Sequence, residues 1–454
     1  MRLRNIARYQ WICSITVVLI GLPETALAQG LGSILHQVEQ RSPQLHAASS
    51  KADASSAGIR VAKSQYWGHG ELFGQTTHYN NDRMVNPISY PPVLTRSLFD
   101  QNTYGVGAAY TLPVDIDGRI TAGVNAQEHL SQAASASVKQ TRLSLFGQTV
   151  ILYRGLQRLE GAKQAHMAHL KALQGHQRIT AVSLRAGRVA AVEMLRIEAE
   201  SKSVEGLLAG LTGDEARLRA ILGALLNTGK FNDPVEKLGD APLADTANRQ
   251  HEDALKNRPD LAVAERLTQA EDEKLKGAKR EWLPSLSLRA ETMRNQGFTA
   301  NGENIWSLSG QLTWQFWDGG RRFANSDRAQ ANRELARQQY QNTLNQAQAE
   351  LQAARADWKA ASRQFQATTA GLEAAGETER IQSDRFASGR ISAVDLIDAE
   401  AALARARADH TSSLANWWLA DDQLKLAQGR APTAYTSGRE GNIHNQMESH
   451  NAAQ

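Results

Sequence analysis

Residues Arg385–Glu400, RFASGRISAVDLIDAE, occur in weakened form upstream as Arg185–Glu200, RAGRVAAVEMLRIEAE, and no other feature restricts the fold as much. Aligned on Gly187 and Gly389, Arg188 matches Arg390, Val189 matches Ile391, Ala191-Val192 matches Ala393-Val394, Glu193 matches Asp395 and Met194 matches Leu396. The same offset puts Tyr104–Leu112 on Trp306–Trp314 and Gly118-Arg119 on Gly320-Arg321. A duplicated unit follows, with a helical hairpin turning at Gly187 in one copy and at Gly389 in the other.

Proline is absent between Pro113 and Pro234 and again between Pro284 and Pro432, and both gaps are crowded with Ala, Leu, Gln, Glu and Arg, which favour helix. Some sixty helical residues on each side of each tip would make rods of about 90 Å at roughly 1.5 Å per residue. From Leu344 the series Leu344, Ala347, Leu351, Ala354, Trp358, Ala361, Phe365, Thr368, Leu372, Ala375 steps by three and four, alternating large with small. That is a seam for close helix–helix packing of the coiled-coil type. Leu145, Leu152, Leu156, Leu159, Leu170 and Leu173 repeat it in the first unit, interrupted by Thr149, Lys163 and His166.

Each unit opens on a shorter helix. Residues 30–67 read as one, and Ser42-Pro43-Gln44-Leu45 matches Arg258-Pro259-Asp260-Leu261 in the second unit. The period then changes from helical to alternating. In Ile305–Trp317, Trp306, Leu308, Leu312, Trp314 and Phe316 face one side, and Ser307, Ser309, Gln311, Thr313 and Gln315 the other. Such alternation predicts a strand with one apolar and one wet face. Ser285–Met293 and Tyr104–Leu112 alternate likewise, and Glu71–His78 is the fourth strand; Asn80–Asp100 and Arg294–Asn304 read as the hairpin loops.

Residues 1–28 read as a secretory signal peptide: Arg2, Arg4 and Arg8 precede the apolar run Trp11–Leu22 and the small-x-small site Ala26-Leu27-Ala28. The one cysteine, Cys13, lies in that leader, so a thiol, disulfide or Cys-based metal site is not expected in the mature chain. The formal net charge of +4 includes the leader arginines, and export argues against a nucleic-acid partner. No mature segment has the ~18 consecutive apolar residues of a membrane-spanning helix, so any membrane contact falls to the strands. The expected organisation is a first repeat over 29–227 with a hairpin at 68–113, a connector over 228–250, a second repeat over 251–431 with a hairpin at 284–317, and a disordered tail over 432–454.

Four such strands cannot stand alone in lipid, because both edges would leave backbone groups unpaired at several kcal/mol each. Two chains would close eight strands and three chains twelve; the spacing does not choose. Trp306, Trp314, Trp317, Tyr104 and Tyr110 at strand spacing suit a membrane-interface belt. Of His166 and His169, three residues apart, His166 falls on the packing seam and is expected to serve packing, and His444 with His450 have no third ligand at fixed spacing. No catalytic, cofactor or metal motif stands out, so an enzyme is not expected.

The leader, the duplication, Trp317-Asp318-Gly319-Gly320-Arg321 and the FxxGxxxxxDLxxA pattern of Phe386–Ala399 together resemble the TolC-type outer-membrane channels, the outer membrane factors. The resemblance implies a mainly α chain with a transmembrane β-barrel: a homotrimer, four strands per chain forming a twelve-stranded barrel on a long periplasmic coiled-coil tunnel. It implies a passive exit duct of a tripartite efflux system, partnered by a periplasmic adaptor (membrane fusion protein) and an RND or ABC inner-membrane transporter. Type I protein secretion and, in a different class, a periplasmic coiled-coil tether without a pore are the alternatives. By the resemblance, the tips Gly187, Arg188, Val189 and Gly389, Arg390, Ile391 would receive the adaptor. Asp395 and Asp398 would ring the aperture, with Glu193 and Arg390 as polar links between tips. The plain reading of the two aspartates is a favourable charge at a helix start.

Overall fold

The alternating stretches pair into one antiparallel sheet. In the computed structural model, which describes residues 29–88, 90, 98–187, 189–241, 255–388 and 390–435, strands β1 (His69–Met84), β2 (Phe99–Val114), β3 (Ser285–Gly297) and β4 (Glu303–Thr313) lie side by side in chain order. The expected leader and the tail beyond residue 435 lie outside the described residues. β2 of the first repeat hydrogen-bonds β3 of the second, so the two hairpins fuse and β1 and β4 become the open edges.

Residues opposite one another across a ladder share a face. Tyr110 therefore lies with Gly70 and Ala290, Ala108 with Leu72 and Thr292, and Ala290 with Leu308. On the other face Arg289 reaches Glu71 at 3.1 Å, Glu291 at 3.0 Å and Thr111 at 3.2 Å, a charged network across three strands. The wet and apolar faces are those the alternation requires.

The strand ends differ from the expected ones. β1 continues to Met84 through an irregularity between His78 and Arg83, and β2 starts at Phe99, because the ladder supplies backbone partners even where the side chains are polar. The second loop shrinks likewise, with Gly297 N–H on the Ala300 carbonyl at 3.1 Å. Asp100 ties the loops, accepting from Thr299 N at 2.6 Å and Asn102 N at 2.9 Å. At the opposite end β4 stops at Thr313, short of Trp317, since its partner strand begins at Ser285 after Pro284, which has no N–H to donate.

Below the sheet run α1 (Leu31–Arg41), α2 (Pro43–Ser64), α3 (Arg119–Arg185), α4 (Ala191–Leu225), α5 (Pro259–Lys279), α6 (Arg321–Ala387) and α7 (Ala393–Ala427). The single helix expected over 30–67 divides at Ser42, whose ψ of 119° is extended as the residue before proline prefers, and Pro43 starts α2. α3 and α6 are both 67 residues long, and α4 and α7 both 35, so the repeat is preserved to the residue. At about 1.5 Å per residue the outgoing helices reach roughly 100 Å and the returning ones only about 50 Å.

The returning arms are thus half the length expected, and the short opening helices fill the remainder. Arg258, capping α5, donates to the carbonyl of Ala427 at the end of α7 at 2.9 Å, so the two helices abut. Leu45 of α2 shares a cluster with Leu222 and Leu226 at the end of α4. The helices accordingly form a row: α2 and α4, then α3, then α5 and α7, then α6.

The largest buried cluster is where α1, α3 and the end of α4 meet, around Ile34, Leu35, Phe146, Val150, Tyr153 and Leu222. Tyr435 belongs to it, so the chain beyond Pro432 is not all loose tail: its hydroxyl donates to Glu39 at 2.6 Å. The connector has no strand or helix of its own through residue 241 and is held by side chains. Tyr153 Oη accepts from Glu236 N at 3.1 Å, Gln157 donates to the Glu236 carbonyl at 2.7 Å, and Trp418 donates to Gly239 at 2.9 Å. The seam of α6 is as the spacing predicts, with Ala347, Leu351 and Trp358 buried and Trp358 and Leu351 meeting Trp417, Ala420 and Leu424 of α7.

Candidate functional site

Two regions concentrate features that packing alone does not require: the helical tips and the apolar face of the sheet with its lower rim. At the first tip α3 ends with Ala186 N–H on Val182 O at 3.1 Å and Gly187 N–H on Leu184 O at 3.0 Å. Gly187 has φ +70°, a left-handed conformation that glycine adopts without penalty at a helix end. Val189 is half-buried, and Arg188 lies outside the described residues. α4 then starts behind Ala190, which has no side chain to cap it.

The second tip is chemically different. Arg390 N–H closes back on Arg385 O at 2.9 Å, and Ser388 Oγ bonds Asp384 O at 3.1 Å and Arg385 O at 2.9 Å; Gly389 lies outside the described residues. α7 starts with a capping box: Ser392 Oγ accepts from Asp395 N at 3.3 Å, while the Asp395 carboxylate accepts from Ser392 N at 3.1 Å and Oγ at 2.8 Å. The plain reading of Asp395 as a helix-start charge is therefore realised.

Asp395 and Asp398 are both exposed, while Leu396 and Ile397 between them and Ala399 after them are buried, so the two carboxylates share the uncovered stripe of α7. Ile391 is half-buried and Arg390 exposed. Glu193 is half-buried with its Oε2 unpartnered among the described residues, and no ion pair joins it to Arg390. The expected pair is not brought together within one chain.

What the sequence reading missed is the layer behind the tips. Leu173 of α3, Ile197 and Val204 of α4 and Ile397 of α7 form one apolar cluster, and beside it His176 Nε2 meets Glu400 Oε1 at 2.7 Å. The spacing of His169 and His176 puts both on one face of α3, but no local signal ties that face to Glu400 of α7. The hydrogen bond to Glu400 holds the His176 imidazole above its ordinary range, with burial opposing.

On the sheet, the apolar face stands open: Leu72 is 88% and Trp306 79% exposed. Tyr104 and Trp306 stand toward one end, where Phe298 meets Tyr104 edge-on at 5.5 Å. Tyr110, Trp314 and Trp317 stand toward the other, and Tyr110 Oη donates to the Trp67 carbonyl there. Trp314 and Trp317 lie past the end of β4, with Trp314 Nε1 on the Trp282 carbonyl at 3.2 Å. From Trp306 to Trp314 the chain covers roughly 27 Å at about 3.4 Å per residue.

Both sheet–helix junctions are built alike. Asp115 accepts from Ile120 N at 2.9 Å and Thr121 N at 2.8 Å at the start of α3. Asp318 accepts from Gly320 N at 3.1 Å and Arg322 N at 3.1 Å at the start of α6, and pairs with Arg322 Nε at 2.8 Å. Arg322 lies over the Trp282 ring at 4.2 Å. Burial opposes ionisation of Asp318, but the bonds from Arg322 outweigh it and hold the carboxyl below its usual range. No helix among the described residues is long and apolar enough to cross a membrane, and no three His, Cys, Asp or Glu side chains among them converge as a metal ion would need.

This architecture is that of known outer-membrane proteins. The crystal structure of the outer membrane protein VceC from Vibrio cholerae superposes with a TM-score of 0.74 at 19% identity, covering 88% of this chain and 96% of that one. The CmeC outer membrane channel of Campylobacter jejuni gives 0.72 at 17% identity, over 94% of each chain. Nodulation protein T of Rhizobium leguminosarum bv. trifolii is 22% identical over 307 residues, a match that spans 65% of this chain and 65% of that protein. The model of the outer membrane efflux proteins matches residues 34–228 and 251–434, and this chain belongs to that family.

Proposed function

We propose that this chain is the outer-membrane exit duct of a tripartite efflux system, a passive path whose energy comes from an inner-membrane pump. The observation that carries the proposal is the sheet. Its β1 and β4 edges are open, and one face is apolar and exposed while the other is charged and wet. Copies joined edge to edge would satisfy both backbones and turn the Glu71–Arg289–Glu291 face toward water and the Trp306 face toward lipid. A homotrimer, with twelve strands in all, is the proposed closure. The open flank of α6 and that of α2 and α4 then meet between neighbours and continue the barrel as a tube of helices.

In that arrangement Tyr104 and Trp306 mark one membrane interface, and Tyr110, Trp314 and Trp317 the other; their roughly 27 Å spacing suits an apolar band of about 25 Å. Asp395 and Asp398 lie on the uncovered stripe of α7 next to the tip and are assigned to the aperture, where copies would gather into a negative ring that favours cations. The turns at Gly187, Arg188, Val189 and Gly389, Arg390, Ile391 are assigned to a periplasmic adaptor, which would join the duct to an RND or ABC transporter. The test is fractionation followed by planar-bilayer recording. The mature chain is expected in the outer membrane and as a conducting oligomer, with cation selectivity reduced in the Asp395→Ala/Asp398→Ala variant. Recovery in the soluble periplasmic fraction overturns the duct, and unchanged selectivity removes the aspartates from the aperture.

A further inference from the structure

Between the tips and the middle of the helical row, the contact of α3 with α7 combines the apolar packing of Leu173 and Ile397 with the titratable bond of His176 to Glu400. His176 and Glu400 are largely enclosed, with side chains 18% and 13% exposed, and their atoms are 2.7 Å apart. Phe386 of α6 stands edge-on to the imidazole at 6.1 Å and screens it. The second carboxylate oxygen of Glu400 is buried and unpartnered among the described residues, so its bond to His176 is the one that neutralises it there. One turn or two away, His169 is 6% exposed and its Nε2 likewise lacks a partner.

The repeat shows that this chemistry belongs to one seam. Thr378 of α6 occupies the position of His176, and Glu198 of α4 that of Glu400. Thr378 bonds its own helix, on Ala374 O at 2.8 Å, and Glu198 is exposed. A proton in the near-neutral range can therefore act on the seam between α3 and α7 and has no counterpart in the other repeat.

The geometry points to a proton-operated latch: with His176 protonated, its Nε2–H donates to Glu400 and fastens α7 to α3 behind the tips, and loss of that proton loosens α7. A charge-assisted bond is roughly twice as strong as a neutral one, which supplies the difference between the two states. Glu400 and Arg405 of α7, Glu379 of α6, Glu200 of α4 and His166 and His169 of α3 are the ionisable groups around the pair.

The direction of the pH response follows from these neighbours. The bond to Glu400 raises the His176 imidazole above 6.5, so the latch is held below that value and is lost as pH rises through the raised one. Burial holds His166 and His169 below the ordinary imidazole range, the direction opposite to that of His176. In consequence for passage, the latch rests on the duct proposed above: loosening α7 frees the helix that carries both aspartates.

The one cysteine, Cys13, falls in the expected leader and is replaced by Ser, so spin labels can be placed on an introduced pair, Arg178→Cys and Ala402→Cys, both at exposed positions. Dipolar EPR is read on the full-length protein in detergent, diluted with unlabelled chain, at pH 6 and pH 8. The expected result is one narrow distance at pH 6 and a second, longer population at pH 8, rising at least threefold. In His176→Gln, which keeps a donor without a titration, and in Glu400→Gln, the distributions are expected to coincide at the two pH values. A parent distribution unchanged between pH 6 and pH 8, or a pH shift that survives in His176→Gln, overturns the latch. Bilayer conductance of the same proteins is a separate reading: its absence defeats the duct, while the EPR distances still decide the latch.

Discussion

α3 and α6 are copies of one another, equal in length and begun by left-handed glycines, yet they live in different surroundings. α3 is flanked on one side by α2 and α4 and on the other by α5 and α7, and it buries Leu145, Phe146, Val150, Tyr153, Leu156 and Leu173. Among the described residues α6 packs chiefly on α5 and α7, and leaves Leu335 56% exposed. Sequence-equivalent helices thus differ in what they still lack. α3 has helices on both flanks within the chain although Ile151, Ile179 and Val182 stay exposed, whereas α6 has them on one flank, just as β2 and β3 are paired on both sides and β1 and β4 on one.

The comparison can be broken at its deepest point first. Phe146→Ala empties the cluster of α1, α3 and α4 and is expected to cost about 3–5 kcal/mol, read as a lower Tm of the purified protein. Arg154→Leu should cost nearly as much, about 3–5 kcal/mol, because Asp422 would be left buried without the guanidinium that now lies 3.0 Å away. An equal Tm for either variant would mean that the surroundings of α3 do not differ from those of α6.

Leu335→Glu sharpens the other half. On the open flank of α6 it should leave the helical content and the fold of a single chain intact while lowering the oligomer fraction measured by light scattering in detergent. An unchanged oligomer would show that α6 is not covered by another copy. A smaller effect separates the tips: Ser392→Ala removes the capping box of α7 and should lose about 1 kcal/mol, whereas Ala190→Ser at the uncapped start of α4 should recover a comparable amount. Thermal melts of the two variants moving in the same direction would contradict the difference between the turns.

The junctions give a pH test. Because the folded carboxyl of Asp318 titrates below the ordinary 3.8, its hold on the first turn of α6 is present above that value and is lost as pH falls through the lower one. Hydrogen exchange of residues 320–326 should accelerate in acid relative to unstructured reference peptides, and Asp318→Asn should remove that dependence. Equal acid profiles for the two proteins would shift the role to the cation–π contact of Arg322 with Trp282.

Much of this was legible because period and repetition are local properties. The step of three and four through Leu351 and Trp358 and the alternation through Trp306 and Leu308 can be read without knowing any neighbour. The pair His176 and Glu400 was not legible, because its members lie on different helices and meet only once α7 folds back on α3. Trp314 and Trp317 illustrate the same limit in reverse. Trp314 continues the alternation and Trp317 follows out of phase with it, but a strand needs a partner, and β3 supplies none beyond Thr313. Asp395 and Asp398 were assigned to the aperture by resemblance, whereas what the structure shows of Asp395 is the capping box it makes with Ser392.

What the sequence determined by itself is the element type and the duplication: side-chain period decides which surfaces must be covered, and the repeat requires the same solution twice. What only the tertiary structure decided is the order in which the two solutions join. β2 pairs with β3, α5 continues α7, and one copy of each pair is enclosed while the other stays open, because contacts between distant segments are set by which surfaces are left after the local ones are satisfied.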